Sequence, residues 1–200
     1  MLSQEDINFI EHVEPEAINW SRLSTPYGRA NDLPDYLSAI ADGDISLMEQ
    51  VMELIEHQGT LWQSTPFALI FMTRIFSKTT DEECISALTN AFLNITEACR
   101  EQFDNFTLPR PLESIIELLD DDNLMQEFDN EEDEEEADEE YWEEGGYSDE
   151  LFSSFFVYSY EIIMLQHKKI EALTSSSDEE LAETASKLAE LLMNTEINYE

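Results

Sequence analysis

Asn31-Asp32-Leu33-Pro34-Asp35-Tyr36-Leu37-Ser38-Ala39-Ile40 is the stretch whose pattern decides the fold. Leu33, Tyr36, Leu37 and Ile40 stand at i, i+3, i+4 and i+7, which is one apolar stripe of an α-helix. Asn31-Asp32 provides the cap, and Pro34 sits in the first turn, where a missing N–H costs little. Asp42-Gly43-Asp44 ends this helix and caps the next, which carries Leu47, Met48, Val51, Leu54 and Ile55. The same spacing continues outward in both directions. Pro66 opens an apolar helix with Phe67, Leu69, Ile70, Phe71, Ile75 and Phe76, and Thr80 or Asp81 caps a long one bearing Ile85, Leu88, Phe92, Ile95, Cys99 and Phe103. After Pro109-Arg110-Pro111, Leu112, Ile115, Ile116 and Leu119 mark a short helix. Leu151, Phe155, Tyr158, Ile162 and Leu165 mark another, running to about Leu173, and Ser177-Asp178-Glu179-Glu180 reads as the capping box of the last. No segment alternates with period two for long enough to predict a strand. The expected class is all-α, with antiparallel helix pairs stacked as a bundle or an open solenoid.

The charge is as informative as the periodicity. The 200 residues hold 47 Asp and Glu against 9 Lys and Arg, a formal charge of -38. Nucleic acid and anionic lipid would both repel such a chain, so neither is an expected partner. A hydrophobic fraction of 42% is too rich for an acidic protein that stays unfolded. Eighteen of the acidic residues lie between Asp120 and Glu150, yet the other 169 positions still hold 29 acidic against 9 basic side chains. The acidity therefore belongs to the folded part as well as to the run. The N-terminus lacks a basic n-region and an apolar h-region, and the longest apolar run, near Phe67 to Met72, is far short of a membrane span. A cytoplasmic protein is expected.

Several chemistries drop out at this level. Cys84 and Cys99 fall in one helix 15 residues apart, or about 22 Å at 1.5 Å per residue. A disulfide needs Cα atoms within about 7 Å, so these are expected to be free thiols. His12, His57 and His167 are scattered and show no zinc spacing. No EF-hand loop and no phosphate-binding Gly-rich loop occurs. His57-Gln58-Gly59-Thr60 reads as a helix end, with Gly59 as the C′ residue and His57 against the last carbonyls. Met48, Met52 and Met72 fall on apolar stripes and read as core. No nucleophile arrangement is present, so the chain is expected to have no enzymatic activity and no cofactor.

Two stretches carry a resemblance. One is Trp20-Ser21-Arg22-Leu23 with Tyr27-Gly28-Arg29-Ala30-Asn31-Asp32-Leu33-Pro34 and Leu37; the other is His57-Gln58-Gly59-Thr60-Leu61-Trp62 with Ser64-Thr65-Pro66-Phe67. In order and spacing they resemble a bacterial family of HEAT-like helical repeat proteins, over roughly residues 18 to 76. The family's Ala between the Thr and the Pro-Phe pair is replaced here, since Ser64-Thr65 directly precedes Pro66. The resemblance implies a HEAT-like helical stack. With the charge run and the helical spacing beyond it, the chain is expected to divide into a HEAT-like region over residues 1–119, an acidic insertion over 120–148, and a C-terminal helix pair over 149–200 packed on the same domain. Proteins of this look often sit beside bacterial toxins and are thought to be their immunity partners.

The acidic run is the candidate partner-binding segment: Asp129, Glu131, Glu132, Asp133, Glu134, Glu135, Glu136, Asp138, Glu139, Glu140, Tyr141, Trp142, Glu143, Glu144 and Tyr147. A solvated connector between helices would account for the carboxylates but has no use for Tyr141, Trp142 and Tyr147. Aromatic anchors amid complementary charge are what a binding hot spot requires. The expected function is that of an immunity protein that neutralises a cationic toxin, most simply a nuclease. An acidic DNA mimic that inhibits a restriction or CRISPR-type nuclease shares the electrostatics, as does a general acidic chaperone or scaffold for basic proteins. Gene neighbourhood separates them.

So many carboxylates repel one another, and salt at physiological strength screens them beyond about 8 Å. The melting temperature is therefore expected to rise as NaCl goes from very low to moderate concentration. A flat or falling curve would show charges already paired locally or neutralised by a bound ion.

Overall fold

The computed structural model describes residues 2–128, 130–143, 145–193, 195 and 197–200. The described chain is mostly helical, with two short antiparallel hairpins. Helix α1 (Gln4–His12) is followed by strands β1 (Ser24–Thr25) and β2 (Gly28–Arg29), then α2 (Leu33–Ala41) and α3 (Met48–Ile55). Strands β3 (Glu56–His57) and β4 (Thr60–Leu61) lead into α4 (Ser64–Lys78) and the long α5 (Glu82–Asn105). The last four are α6 (Glu131–Glu143), α7 (Asp149–Met164), α8 (His167–Leu173) and α9 (Glu179–Met193).

The hairpins correct the expectation of helix alone. His57-Gln58-Gly59-Thr60 is a two-residue turn between β3 and β4, not a helix end, with Glu56 paired to Leu61 and His57 to Thr60. Gln58 (φ 52°) and Gly59 (φ 80°) both take positive φ, the backbone that a tight hairpin of this twist demands. The Glu56 carboxylate accepts the Gly59 N–H at 2.7 Å and fixes the turn. Three further boundaries differ. The Ile115–Leu119 segment is a 3₁₀ turn. The helix expected to run from Leu151 to about Leu173 instead ends at Met164, which leaves Leu165 exposed at the junction with α8. The cap of α9 is Asp178, whose Oδ1 accepts the N–H groups of Glu180 and Leu181, in place of Ser177.

Helix α7 organises the core. It packs against both α4 and α5, and α9 packs on α5 and α8. Apolar residues ring α7 on all sides, with Leu151, Phe155, Phe156, Val157, Ile162 and Ile163 buried, as befits a helix with no solvent face. Its few polar groups hold the Pro-rich connector: Ser153 Oγ donates to Pro109 O, Tyr158 Oη to Leu112 O, and Ser154 Oγ accepts from Leu112 N. Cys84 and Cys99 are free thiols buried on α5. Among the described residues, no helix is long and apolar enough to cross a membrane.

Two of the scarce cations are turned onto helix ends. Arg74 donates to Ile10 O and Val13 O, covering the C-terminal carbonyls of α1. Lys169 does the same for α4, donating to Phe76 O while lying over the Phe76 ring. The favourable end of each helix dipole is thus matched by a cation. Asp6 is the acidic counterpart. It is 1% exposed and accepts from Ser3 N, Ser3 Oγ, Ser114 Oγ and Ile115 N, so it pins α1 to the 3₁₀ turn. Burial alone would raise its pKa, but these four donors outweigh that and hold it below 3.8.

Asp6→Asn is expected to cost about 2 kcal/mol at pH 7, because an amide N–H₂ then faces two donors. The depressed pKa means the carboxylate stabilises the fold above pH 3.8 and loses that effect as pH falls through the folded value. Melting curves of the two proteins should therefore converge in acid. A gap that persists at pH 2 would show that the charge is not what matters.

Candidate interaction surface

The two stretches that carry the resemblance become neighbouring hairpins. Their tips touch: the Tyr27 and His57 rings meet edge-on with centroids 5.6 Å apart, and Tyr27 Oη lies 3.3 Å from His57 Nδ1. Two residues beyond Tyr27, Arg29 reaches across to the acidic run. Nε and Nη2 grip Asp138 as a fork at 3.0 and 2.7 Å, and Nη1 donates to Glu134 at 2.9 Å. Nη1 also donates to Ser21 O and Nη2 to Gln126 O, so each of the five guanidinium N–H groups has a partner. Desolvation would lower the Arg29 pKa, yet Asp138, Glu134 and Glu127 together raise it above its ordinary value. Arg22 repeats the device upstream, donating to Met125 O and to the Asp121 carboxylate.

Arg29 gives the run a helical form that its own charges oppose. Like charges at i, i+4, such as Glu132 and Glu136 or Glu139 and Glu143, each cost a few tenths of a kcal/mol. Asn130 offsets part of this by capping α6, its Oδ1 accepting Asp133 N at 2.9 Å. The inward stripe is Glu134, Ala137, Asp138 and Tyr141, at i, i+3, i+4 and i+7. The outward face carries Glu132, Asp133, Glu136, Glu139, Glu140 and Glu143, all exposed.

The aromatics weld the end of α6 to the body. Trp142 meets Trp62, the residue after β4, with centroids 5.9 Å apart, and also Tyr141 at 5.0 Å and Tyr147 at 5.1 Å. Tyr147 stacks edge-on against Phe155 of α7 at 4.8 Å, and its hydroxyl bonds that of the buried Ser24. Burial pushes both phenols up, Tyr141 to about 12 and Tyr147 further. Gly145 and Gly146 take positive φ in the turn between, and a Cβ at Gly146 would stand 2.8 Å from the Trp142 ring.

The sequence-derived candidates thus divide. Tyr141 and Tyr147 face the body of the protein, as do Glu134 and Asp138, while Trp142 is 41% exposed. Asp129 and Glu144 lie outside the described residues, as do the side chains of Glu131 and Glu135. Sequence reasoning missed Arg29, Tyr27, His57 and Trp62 as parts of this surface. A signal for Arg29 existed: it is a cation in a chain that has very few. Among the described residues, no group of His, Cys, Asp and Glu is arranged to hold a metal ion. A cavity of about 550 Å³ opens elsewhere between α2 and α4, lined by Trp20, Leu37, Phe71 and Arg74. No family model, no curated protein and no solved structure matches the chain.

Arg29→Ala is expected to release α6, with a loss of helical ellipticity, a red shift of Trp142 emission and destabilisation by about 2–3 kcal/mol. Arg29→Lys should recover little of it, because an ammonium cannot make the fork. Unchanged ellipticity in Arg29→Ala would show that the aromatics alone hold the helix.

Proposed function

We propose that this chain is a cytoplasmic immunity protein that binds and neutralises a cationic bacterial toxin, most simply a nuclease, through its acidic surface. The observation that carries the reading is the division of α6 into two faces. One face is anchored by Arg29, and the other presents six carboxylates to solvent from a fixed backbone. A charged surface that is already ordered loses less entropy on binding than a free acidic tail. A nuclease must keep a positive cleft for phosphates, which such a face can cover. Opposite charge also speeds encounter, to about 10⁸–10⁹ M⁻¹s⁻¹ at low salt, which suits a protein that must act before a lethal partner does. The resemblance of Trp20 to Phe67 to toxin-associated HEAT-like proteins supports the same conclusion. A HEAT-like arrangement of the N-terminal helices belongs to this proposal, supported by the successive packing of α2, α3 and α4.

The test is inhibition of a nuclease toxin encoded beside this protein. Stoichiometric inhibition is expected. The variant E132Q/D133N/E136Q/E139Q/E140Q/E143Q spares the Arg29 anchorage and every aromatic. It should bind about 10–100-fold more slowly, with a flatter salt dependence. Full protection at unchanged association rate, or no binding to any neighbouring toxin, would sink the proposal.

A further inference from the structure

Tyr27 is 65% exposed at the tip of the first hairpin, an expensive place for a large aromatic ring in a protein of this size. Nothing about the turn requires it. Its ring is held all the same, with His57 against its edge and hydrogen-bonding distance between hydroxyl and imidazole. Trp142, 41% exposed, is the second such ring, backed by Trp62, Tyr141 and Tyr147. Both belong to one continuous piece of architecture. Arg29 ties the Tyr27 hairpin to Asp138, one helical turn before Trp142, and Trp62 extends the His57 hairpin to meet Trp142. Glu56 and Glu101 border the Gly59 turn beside His57, and Glu139 and Glu143 stand on α6 beside Trp142.

We propose that the Tyr27–His57 pair and Trp142 are clamps for arginine side chains of the basic partner, and so form the specific centre of a surface that is otherwise only negative. This rests on the acidic-surface reading above and adds to it a preference that charge alone cannot produce. A guanidinium is planar and weakly hydrated, so it stacks on an aromatic face while its N–H edge reaches a neighbouring carboxylate. An ammonium is compact and strongly hydrated, and gains less from the ring. Carboxylates alone already favour Arg through the bidentate fork, so the clamps' own contribution is the part of the preference that is lost with the rings. The exposed rings, rigidly backed and set in an acidic surface, match an arginine-bearing segment in both shape and charge.

Octa-arginine and octa-lysine peptides carry equal charge and separate the two contributions. By calorimetric titration at fixed ionic strength, the protein is expected to bind octa-arginine about fivefold more tightly than octa-lysine. Tyr27→Leu should shrink that preference and Tyr27→Leu with Trp142→Leu should cut it to the smaller one that carboxylate forks alone give, whereas Tyr27→Phe should keep it. Because Tyr27 is exposed, its replacement leaves the core intact, which retained ellipticity will check. The variant E132Q/D133N/E136Q, which leaves Glu139 and Glu143 beside Trp142 in place, should weaken both peptides by a similar factor and keep their ratio. Equal affinities in the parent protein, or a preference undiminished by the double Leu change, would overturn the clamps while leaving charge-driven binding in place. Failure of both peptides to bind would overturn the clamps and the acidic-surface reading together.

Discussion

The fork between Arg29 and the carboxylates of Glu134 and Asp138 is the interaction on which the shape of this molecule's surface depends. Arg29 is buried and its five donors are filled, three by carboxylate oxygens and two by the carbonyls of Ser21 and Gln126. Each partner comes from a different part of the chain: the 3₁₀ turn before β1, the connector before α6, and α6 itself. A lysine could neutralise one carboxylate but could not span all three. The acidic segment is thereby converted from a stretch that would repel itself into an extended coil to a helix of fixed orientation.

The same economy governs the rest of the fold. With 9 cationic side chains against 47 acidic ones, ion pairing cannot be the general means of stabilisation. Cations sit where a single charge does the most, at the carbonyl ends of α1 and α4 and under α6. Lys78, Arg110 and Lys168 remain exposed. Stability otherwise comes from the apolar core around α7 and from neutral caps such as Ser148 on α7 and acidic caps such as Asp81 on α5, whose charge the N-terminal dipole favours. Acidic residues fit helix starts well and helix ends poorly, which is why the ends recruit Arg74 and Lys169.

The helical skeleton was legible because helices with one buried face repeat that face in sequence. Leu33 to Ile40 and Ile85 to Phe103 show it plainly, and Asp81 caps the second as expected, whereas Asp32 makes no side-chain cap bond to the first. The hairpins were not legible, because two-residue strands are too short to alternate, and Gly59 serves a hairpin turn as well as a helix end. Helix α6 escaped for a different reason. Its inward stripe is made of Glu134, Asp138 and Tyr141, so hydrophobic periodicity is silent, and its partner Arg29 lies more than a hundred residues away. Ser3 with Asp6 was a readable capping box for α1, yet its larger role, reaching Ser114, is a long-range contact that no local pattern encodes. The candidate surface was visible as composition; its division into an anchored and a presented face was not.

That division couples folding to recognition. The outward carboxylates of α6 repel one another along the helix, and Arg29 works against this from the inside. A basic segment docked on the outside would act in the same direction, screening Glu132 from Glu136 and Glu139 from Glu143. Both therefore favour the same docked, helical state of α6. If the proposed basic partner binds there, linkage requires that whatever tightens the Arg29 anchorage would tighten the hold on that partner, and that its binding would strengthen the anchorage by an equal free energy. Trp142 stands where the two meet, since its ring seals the end of α6 against Trp62 and Tyr147 while its exposed face belongs to the surface.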